Sequence, residues 1–261
     1  MKVTITGAAG FIATAPYEVL LVSRLPVLGF DIREPSCDWT GNAFEFCDVR
    51  NATRLMELIS RFRPERIFFN LAAQSYPTVF LLQPRETVAQ CRRYHKPVRV
   101  STRRKSQPRG RNRLLRREYG PVASADLAFH ETHPLCPPHP CGVSEVGQDP
   151  LVAQYFINYA FPSIRIRIRA RSDLTMRDAE IELGMRQASL AVGNLTTRRA
   201  LIDVHEMVRA LWLAPERCEP GEGYNVVGGT QIYSVQELIE IIRNRVSTDF
   251  QWRRTPRWCA P

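Results

Sequence analysis

The stretch Lys2-Val3-Thr4-Ile5-Thr6-Gly7-Ala8-Ala9-Gly10-Phe11-Ile12-Ala13 decides the fold. Lys2–Thr6 is a short apolar run that reads as a strand, and two glycines three residues apart close it into a tight turn. An apolar-periodic stretch then runs to about Ser23. Working outward, Pro26–Asp31 (Pro-Val-Leu-Gly-Phe-Asp) reads as a second strand. Asn51–Phe62 has helical periodicity through Leu55, Leu58, Ile59 and Phe62, with Asp48 and Asn51 as candidate caps. Arg66–Leu71 is a buried-type strand. Strands that alternate with helices imply a parallel sheet covered on both faces. Later in the chain Val152–Tyr159 reads as a helix, Ser163–Ile168 as a strand and Val235–Arg243 as an amphipathic helix. The Pro/His-rich stretch Pro134–Pro140 reads as a loop.

The turn itself carries chemistry. Glycine permits a tight backbone path and the close approach of a pyrophosphate, and the following helix N-terminus offers free N–H groups and a positive dipole end. Gly7 and Gly10 are the expected contacts, with Phe11 and Ile12 beside them; the usual third glycine is Ala13. Asp31 lies 21 residues beyond Gly10, at the end of the second strand. A carboxylate there accepts hydrogen bonds from a ribose diol and repels a 2′-phosphate, which favours NAD over NADP, while nearby Arg33 weakens that preference. The expected fold is therefore α/β, a Rossmann-type doubly wound parallel sheet over residues 1–168. A small C-terminal lobe is expected over 169–261, interleaved with it.

Composition narrows the classes. The chain of 261 residues with 44% apolar content can bury one substantial core or one core with a small lobe. It has no run of about 18 apolar residues that would span a membrane, and no signal-peptide pattern is seen at the N-terminus. Seven cysteines without a CxxC pair point to reduced thiols in the cytosol and to no metal site. The net charge of +10 invites a nucleic-acid partner, but its distribution does not. Twelve Lys or Arg and no acid fall between Gln90 and Arg117, so removing them leaves about −2 for the rest of the chain. One segment supplies the whole excess, and no nucleic-acid partner is expected.

Four elements occur in order: the glycine turn, Asp31, Cys47-Asp48-Val49-Arg50 after a third strand, and Asn70-Leu71-Ala72-Ala73-Gln74-Ser75 after a fourth. Together they resemble the extended short-chain dehydrogenases/reductases, the NAD-dependent epimerase/dehydratase family. The resemblance implies that Asp48 and Val49 contact the adenine and that Leu71, Ala72 and Ala73 line the channel of an NAD or NADP cofactor. Further matches are Glu118-Tyr119-Gly120-Pro121, Gly142-Val143-Ser144, Asn194-Leu195-Thr196-Thr197-Arg198-Arg199, Ile202-Asp203-Val204 and Tyr224-Asn225-Val226. These look most like GDP-mannose 4,6-dehydratases and the related GDP-4-keto-6-deoxymannose reductases. That likeness implies a GDP-hexose substrate, with Ser75, Asn194 and Arg199 as its contacts, and allows a homodimer paired through helices. It also implies that the lobe over 169–261 is a substrate lobe, and an incomplete one. Arg199 reads equally as a solvated surface residue.

The family's chemistry needs a Tyr-x-x-x-Lys pair on one helix and a Ser or Thr from the preceding strand. The spacing sets Tyr and Lys on one face, and the ammonium lowers the phenol's pKa so that it can exchange a proton with a sugar hydroxyl. The matching positions here are Cys141 and Glu145. A thiol is shorter than a phenol, and a carboxylate reverses the charge that stabilises the base. As a nucleophile Cys141 gains nothing, because an acid one turn away raises a thiol's pKa. Pro150 falls inside the same helix, where proline costs about 3 kcal/mol. After Ile168 the chain also lacks a dozen or so residues that the family usually carries.

The basic segment has an explanation in the genetic code. Gln90–Arg99 can be encoded as CAA TGT CGT CGG TAC CAT AAA CCT GTT CGA, and the same bases read one position later give Asn-Val-Val-Gly-Thr-Ile-Asn-Leu-Phe-Glu. That string resembles the family's helix after the fourth strand. Gln107–Arg116 can likewise yield the next strand with its catalytic serine, and Gln251–Pro261 a family-like continuation. Cys141 and Glu145 are each one base from Tyr and Lys codons. The chain therefore reads as a frameshifted and truncated relative, from either a decaying gene or an error-containing nucleotide sequence. Because a dozen charges cannot be buried unpaired, an unstable product is expected. Sequencing the coding DNA across codons 85–150 is expected to reveal bases that spell the family helix and strand one position out of frame. A shifted frame unrelated to the family would refute this origin.

Overall fold

The structure, a computed structural model, describes residues 2–10, 13, 25–35, 39, 43–64, 67–72, 111–115, 119–120, 130–138, 140–168, 189–192, 194–229, 231–245 and 251–254. Two compact units form. The first comprises Met1–Ile168 with Val204–Val226, and the second Arg169–Asp203 with Val227–Pro261. Residues 204–226, which the sequence reading assigns to the second lobe, thus belong to the first unit.

The first unit is built on β1 (Val3–Thr6), where Val3, Thr4, Ile5 and Thr6 are all fully buried. Burial of every position marks a central strand with both faces covered. β1 pairs in parallel with β2 (Val27–Asp31) on one side and β4 (Ile67–Asn70) on the other. β3 (Ala43–Phe46) lies beyond β2, while β5 (Arg111–Leu115), β6 (Ile164–Ile168) and β9 (Gly223–Val226) extend the sheet beyond β4. Among the described residues this is one seven-stranded parallel sheet in the order 3-2-1-4-5-6-9. The order reverses between β1 and β4, the place where such sheets open a crevice at their carboxyl ends.

Helix α1 (Ala52–Phe62) starts where Asn51 accepts the Arg54 N–H, and it ends at Arg63 in the left-handed region (φ 54°). Its apolar stripe, Leu55, Leu58 and Ile59, packs on Leu28, Phe30 and Cys47 with Phe62 at the margin. Helix α2 runs unbroken from Pro140 to Tyr159. Pro140 therefore opens a helix and does not end a loop, and Pro150 does not interrupt it. The chain is anchored on both sides of that proline: Asp149 by ion pairs to β6, and the Val152 carbonyl by the Ser163 hydroxyl at 3.3 Å. Helix α3 (Val204–Arg217) buries Met207, Val208, Leu211 and Ala214.

The segment expected to resist folding contributes β5. Its backbone pairs Phe69 with Asn112 on one side and Arg113 with Arg165 on the other. The remainder of 90–117 lies outside the described residues.

In the second unit β7 (Ser189–Val192) pairs in parallel with β11 (Gln251–Arg254), and β8 (Arg198–Ala200) pairs antiparallel with β10 (Ile232–Ser234). Helix α4 (Val235–Arg245) packs Ile239 and Ile242 on Val192. It begins with a reciprocal cap, in which Ser234 Oγ accepts from Glu237 N at 3.1 Å and Glu237 accepts from Ser234 N at 2.6 Å.

The most demanding electrostatics lie between α2 and β6. Asp149, 2% exposed, meets Arg167 Nε at 2.9 Å and Arg165 at 2.5 Å. Arg167 also donates to the Tyr119 hydroxyl at 2.8 Å and the Glu131 carbonyl at 2.7 Å. Burial pushes the Asp149 carboxyl up, but the Arg167 hydrogen bond and the two guanidinium charges outweigh it and hold the group below its ordinary range. A depressed folded pKa contributes stability above the unfolded value, and that contribution is lost as pH falls through the folded one. Asp149→Ala should cost about 3–5 kcal/mol in denaturant unfolding by stranding two arginines. The gap between wild type and variant should be full at neutral pH and close below about pH 4.

Candidate dinucleotide site

The site is assembled by strand ends. Leaving β1, the chain turns at Gly7, whose φ of +71° lies in the left-handed region. Gly7 N and Ala8 N both donate to the Phe30 carbonyl, at 2.9 and 3.3 Å. From the other side Leu71 N donates to the Thr6 carbonyl at 3.1 Å and Ala72 N to Thr6 Oγ1 at 3.2 Å. A Cβ at Gly7 would stand 2.7 Å from Ala72 N. The turn closes with Gly10 N on the Gly7 carbonyl at 3.0 Å, and Ala13 N donates to the Gly10 carbonyl at 2.9 Å.

Asp31 sits beside this turn at the end of β2 and is 8% exposed. Its carboxylate accepts Ala9 N at 3.1 Å, Ile32 N at 2.7 Å and Arg33 N at 3.1 Å. Asp48 and Val49, both half-buried, follow β3 at the same edge of the sheet. Asp48 accepts the Arg50 N–H at 2.8 Å and Arg50 Nε at 2.7 Å. Gly7, Gly10, Asp31, Asp48, Leu71 and Ala72 are thus all carried by the ends of four adjacent strands, as the sequence reading expects. Phe11, Ile12, Ala73 and Ser75 lie outside the described residues. A turn with no side chain larger than a methyl group, flanked by an acid at the end of β2, fits the pyrophosphate and adenosine ribose of a dinucleotide.

Cys141 and Glu145 fall in the first two turns of α2, four residues apart and so on one face of the helix. Glu145 is half-buried, and the Cys141 side chain is outside the described residues. In the second unit Asn194 Oδ1 accepts both Thr196 N at 3.0 Å and Thr196 Oγ1 at 2.9 Å, which makes it the pivot of an exposed turn. Arg199 pairs through its backbone with Tyr233 in the β8–β10 ribbon.

The sequence reading misses the group of Tyr119, Arg167, Asp149, Glu131 and Asn225. Tyr119 donates to Asn225 Oδ1 at 2.8 Å, and Asn225 N donates to Glu131 at 2.7 Å, an interaction that holds the Glu131 carboxyl below its ordinary range. The available signal is the Ile-Arg-Ile-Arg-Ile alternation of β6. Burial pushes the Cys47 and Cys218 thiols up and leaves them poor nucleophiles. Among the described residues no cluster of three His, Cys, Asp or Glu could hold a metal ion, and no helix is long and apolar enough to cross a membrane.

Sheet order, glycine turn and Asp31 define a dinucleotide-binding protein of the Rossmann class. Comparison with known families carries this further. The family model described as "NAD dependent epimerase/dehydratase family" matches residues 3–169, and the chain belongs to that family. A model described as "GDP-mannose 4,6 dehydratase" matches residues 117–257. Among solved structures the chain resembles the UDP-glucose 4-epimerase of Thermus thermophilus in complex with NAD, with a TM-score of 0.82 and 21% identity over 98% of this chain and 86% of that one. It also resembles RMD from Pseudomonas aeruginosa complexed with NADPH, with a TM-score of 0.75 and 20% identity over 99% and 88%. A third likeness is to the dTDP-glucose 4,6-dehydratase DesIV of Streptomyces venezuelae, with a TM-score of 0.79 and 18% identity over 98% and 84%. These likenesses establish the shared fold, and the expectation of NAD or NADP agrees with the family.

Replacing Gly7 by Val forces a β-branched residue into positive φ and a Cβ against the Ala72 backbone. The expected result is a loss of about 1–3 kcal/mol in unfolding free energy, together with loss of calorimetrically detectable NAD binding. A Gly7→Val protein that binds NAD normally would show that the turn plays no part in the site.

Proposed function

We propose that this chain is a nucleotide-sugar dehydratase or reductase of GDP-hexose type by descent that retains the dinucleotide site and has lost normal turnover. The carrying observation is an asymmetry: the glycine turn and Asp31 keep the geometry a dinucleotide needs, while α2 presents Cys141 and Glu145 where the resemblance calls for Tyr and Lys. When bound, the nicotinamide supplies hydride exchange at a sugar carbon. The chain's own task is then to move a proton at the neighbouring hydroxyl. A carboxylate at position 145 does not lower the pKa of any acid near it, and the serine that the resemblance expects before Glu118 is absent from the in-frame sequence. Loss of general acid–base catalysis alone lowers the rate by roughly 10²–10⁴-fold.

GDP-hexose as the sugar nucleotide is supported by the match over residues 117–257 and by the likeness of the Asn194–Arg199 block. Ser75, Asn194 and Arg199 carry the substrate role in this reading, the second unit serves as substrate lobe, and the assembly is a homodimer in the cytosol. Asp48, Val49, Leu71, Ala72 and Ala73 complete the cofactor contacts.

A second reading, a non-catalytic nucleotide-binding protein, is favoured by the same replacement of the pair. One experiment separates the two. Calorimetry of the full chain with NAD and NADP should give measurable binding, while mass-spectrometric analysis of GDP-mannose incubated with the chain and dinucleotide should show slow loss of water above the uncatalysed rate. Binding without any turnover selects the non-catalytic protein, and no binding of either dinucleotide refutes both.

A further inference from the structure

Helix α2 changes character at Asp149–Pro150. Its second half is fastened to β6, through Asp149 on Arg165 and Arg167 and through the Val152 carbonyl on the Ser163 hydroxyl. The first half is built from weaker material. Gly142 and Gly147 are poorly suited to a helix interior, and Pro150 has no N–H to give the Val146 carbonyl. Gln148 is 1% exposed, and its Nε2 donates to Ser144 Oγ at 3.2 Å. Its Oε1 is buried without a hydrogen-bond partner among the described residues. An unmet buried acceptor favours any state in which it reaches water.

Residues 130–138 precede this half and strap it to the sheet. Glu131 grips twice: its carbonyl accepts Arg167 Nη1 of β6 at 2.7 Å, and its carboxylate accepts Asn225 N of β9 at 2.7 Å. The Cys136 carbonyl crosses Gly120, where φ is +71° and a Cβ would collide with it. The His133 ring meets the Tyr119 ring edge-on, with centroids 6.2 Å apart. The Glu131 carboxylate is the grip that protonation loosens. Around it stand Arg167 of β6 with Asp149 of α2 on its far side, Tyr119, and His130 and His133 of the strap itself. The Asn225 hydrogen bond, helped by the charges of Arg167 and His130, outweighs slight burial and holds the Glu131 carboxyl below its ordinary range. The contribution of this grip is therefore present above the unfolded value and lost as pH falls through the folded one.

We propose that residues 130–148 form one unit that opens while the rest of the first unit stays folded, with Glu131 as its latch. Positions 141 and 145 travel with that unit, so the latch governs how α2 presents them. The dinucleotide reading plays no part in this. The test is hydrogen exchange followed by mass spectrometry on the full chain, for wild type, Glu131→Ala and Glu131→Gln, with rates corrected for the intrinsic effect of pH. In the wild type at neutral pH, amides of 144–148 should exchange at least about tenfold faster than those of 151–156. Glu131→Ala should speed exchange across 130–148 by roughly three- to tenfold and leave 151–156 within about twofold. Glu131→Gln keeps an acceptor for the Asn225 N–H. It should match the wild type at neutral pH and lack part of the acceleration that the wild type shows between about pH 6 and 4. Asp149 titrates in both proteins, so that difference belongs to Glu131. If Glu131→Ala fails to fold, the glutamine variant and its pH profile carry the test. Exchange of 144–148 in step with 151–156 overturns the proposal. So does an unchanged rate in a folded Glu131→Ala protein, or one pH profile shared by wild type and Glu131→Gln.

Discussion

The first unit depends on how closely the backbone after β1 passes the backbone after β4. β1 is hydrogen-bonded on both edges, so its chain can leave only upward, between the Phe30 carbonyl and the Leu71–Ala72 peptide. The distance of 2.7 Å from a hypothetical Gly7 Cβ to Ala72 N leaves room for hydrogen alone. With that crossing fixed, the rest of the edge follows. Ala9 is brought over Asp31, Thr6 Oγ1 takes the Ala72 N–H, and Cys47 N reaches the Asp31 carbonyl at 2.9 Å, which places Asp48 beside them. The candidate site is a by-product of sheet order plus one residue without a side chain.

The other half of the sheet is held by charge. Asp149 is one turn beyond Glu145 on α2, and its ion pairs to Arg165 and Arg167 lock that helix in register on β6. A buried ion pair contributes little net stability compared with apolar packing, but it penalises every arrangement that separates its members. Tyr119, Glu131 and Asn225 join the same network, so the segments after β5 and at the end of β9 are tied to it as well. The helix that carries positions 141 and 145 is thereby anchored to β6 one turn beyond Glu145.

Much of this was legible in the sequence. Strand–helix alternation, the glycine turn, the Asn51 cap and Asp31 at its spacing from Gly10 all follow from local periodicity and turn chemistry, and the structure has them. Three features were hidden, each for a physical reason. The run Arg-Asn-Arg-Leu-Leu has no strand signature, yet it forms β5 because β4 and β6 offer unpaired edges on both sides, and tertiary context outweighs propensity. Nothing in the strand pattern of Ser163–Ile168 names a partner for Arg165 and Arg167, since Asp149 is 16 and 18 residues away in sequence and is met only after α2 folds back. Helix α3 did have a signal, the apolar spacing of Met207, Val208, Leu211 and Ala214, but the expectation of two interleaved units did not say which stretch after Ile168 returns to the first.

Binding and chemistry draw on different parts of this chain, and they tolerate change unequally. The dinucleotide edge is built chiefly from main-chain N–H and carbonyl groups, and most side-chain substitutions leave those groups where they are. On the reading proposed above, proton transfer would call for a phenol and an ammonium at positions 141 and 145, because a phenol's reach and an ammonium's charge have no equivalent in a thiol and a carboxylate. On that reading, a sequence that accumulates base changes under no demand for turnover would lose catalysis first. It keeps its fold and its backbone-made site for as long as the Gly7 crossing and the Asp149 ion pairs survive.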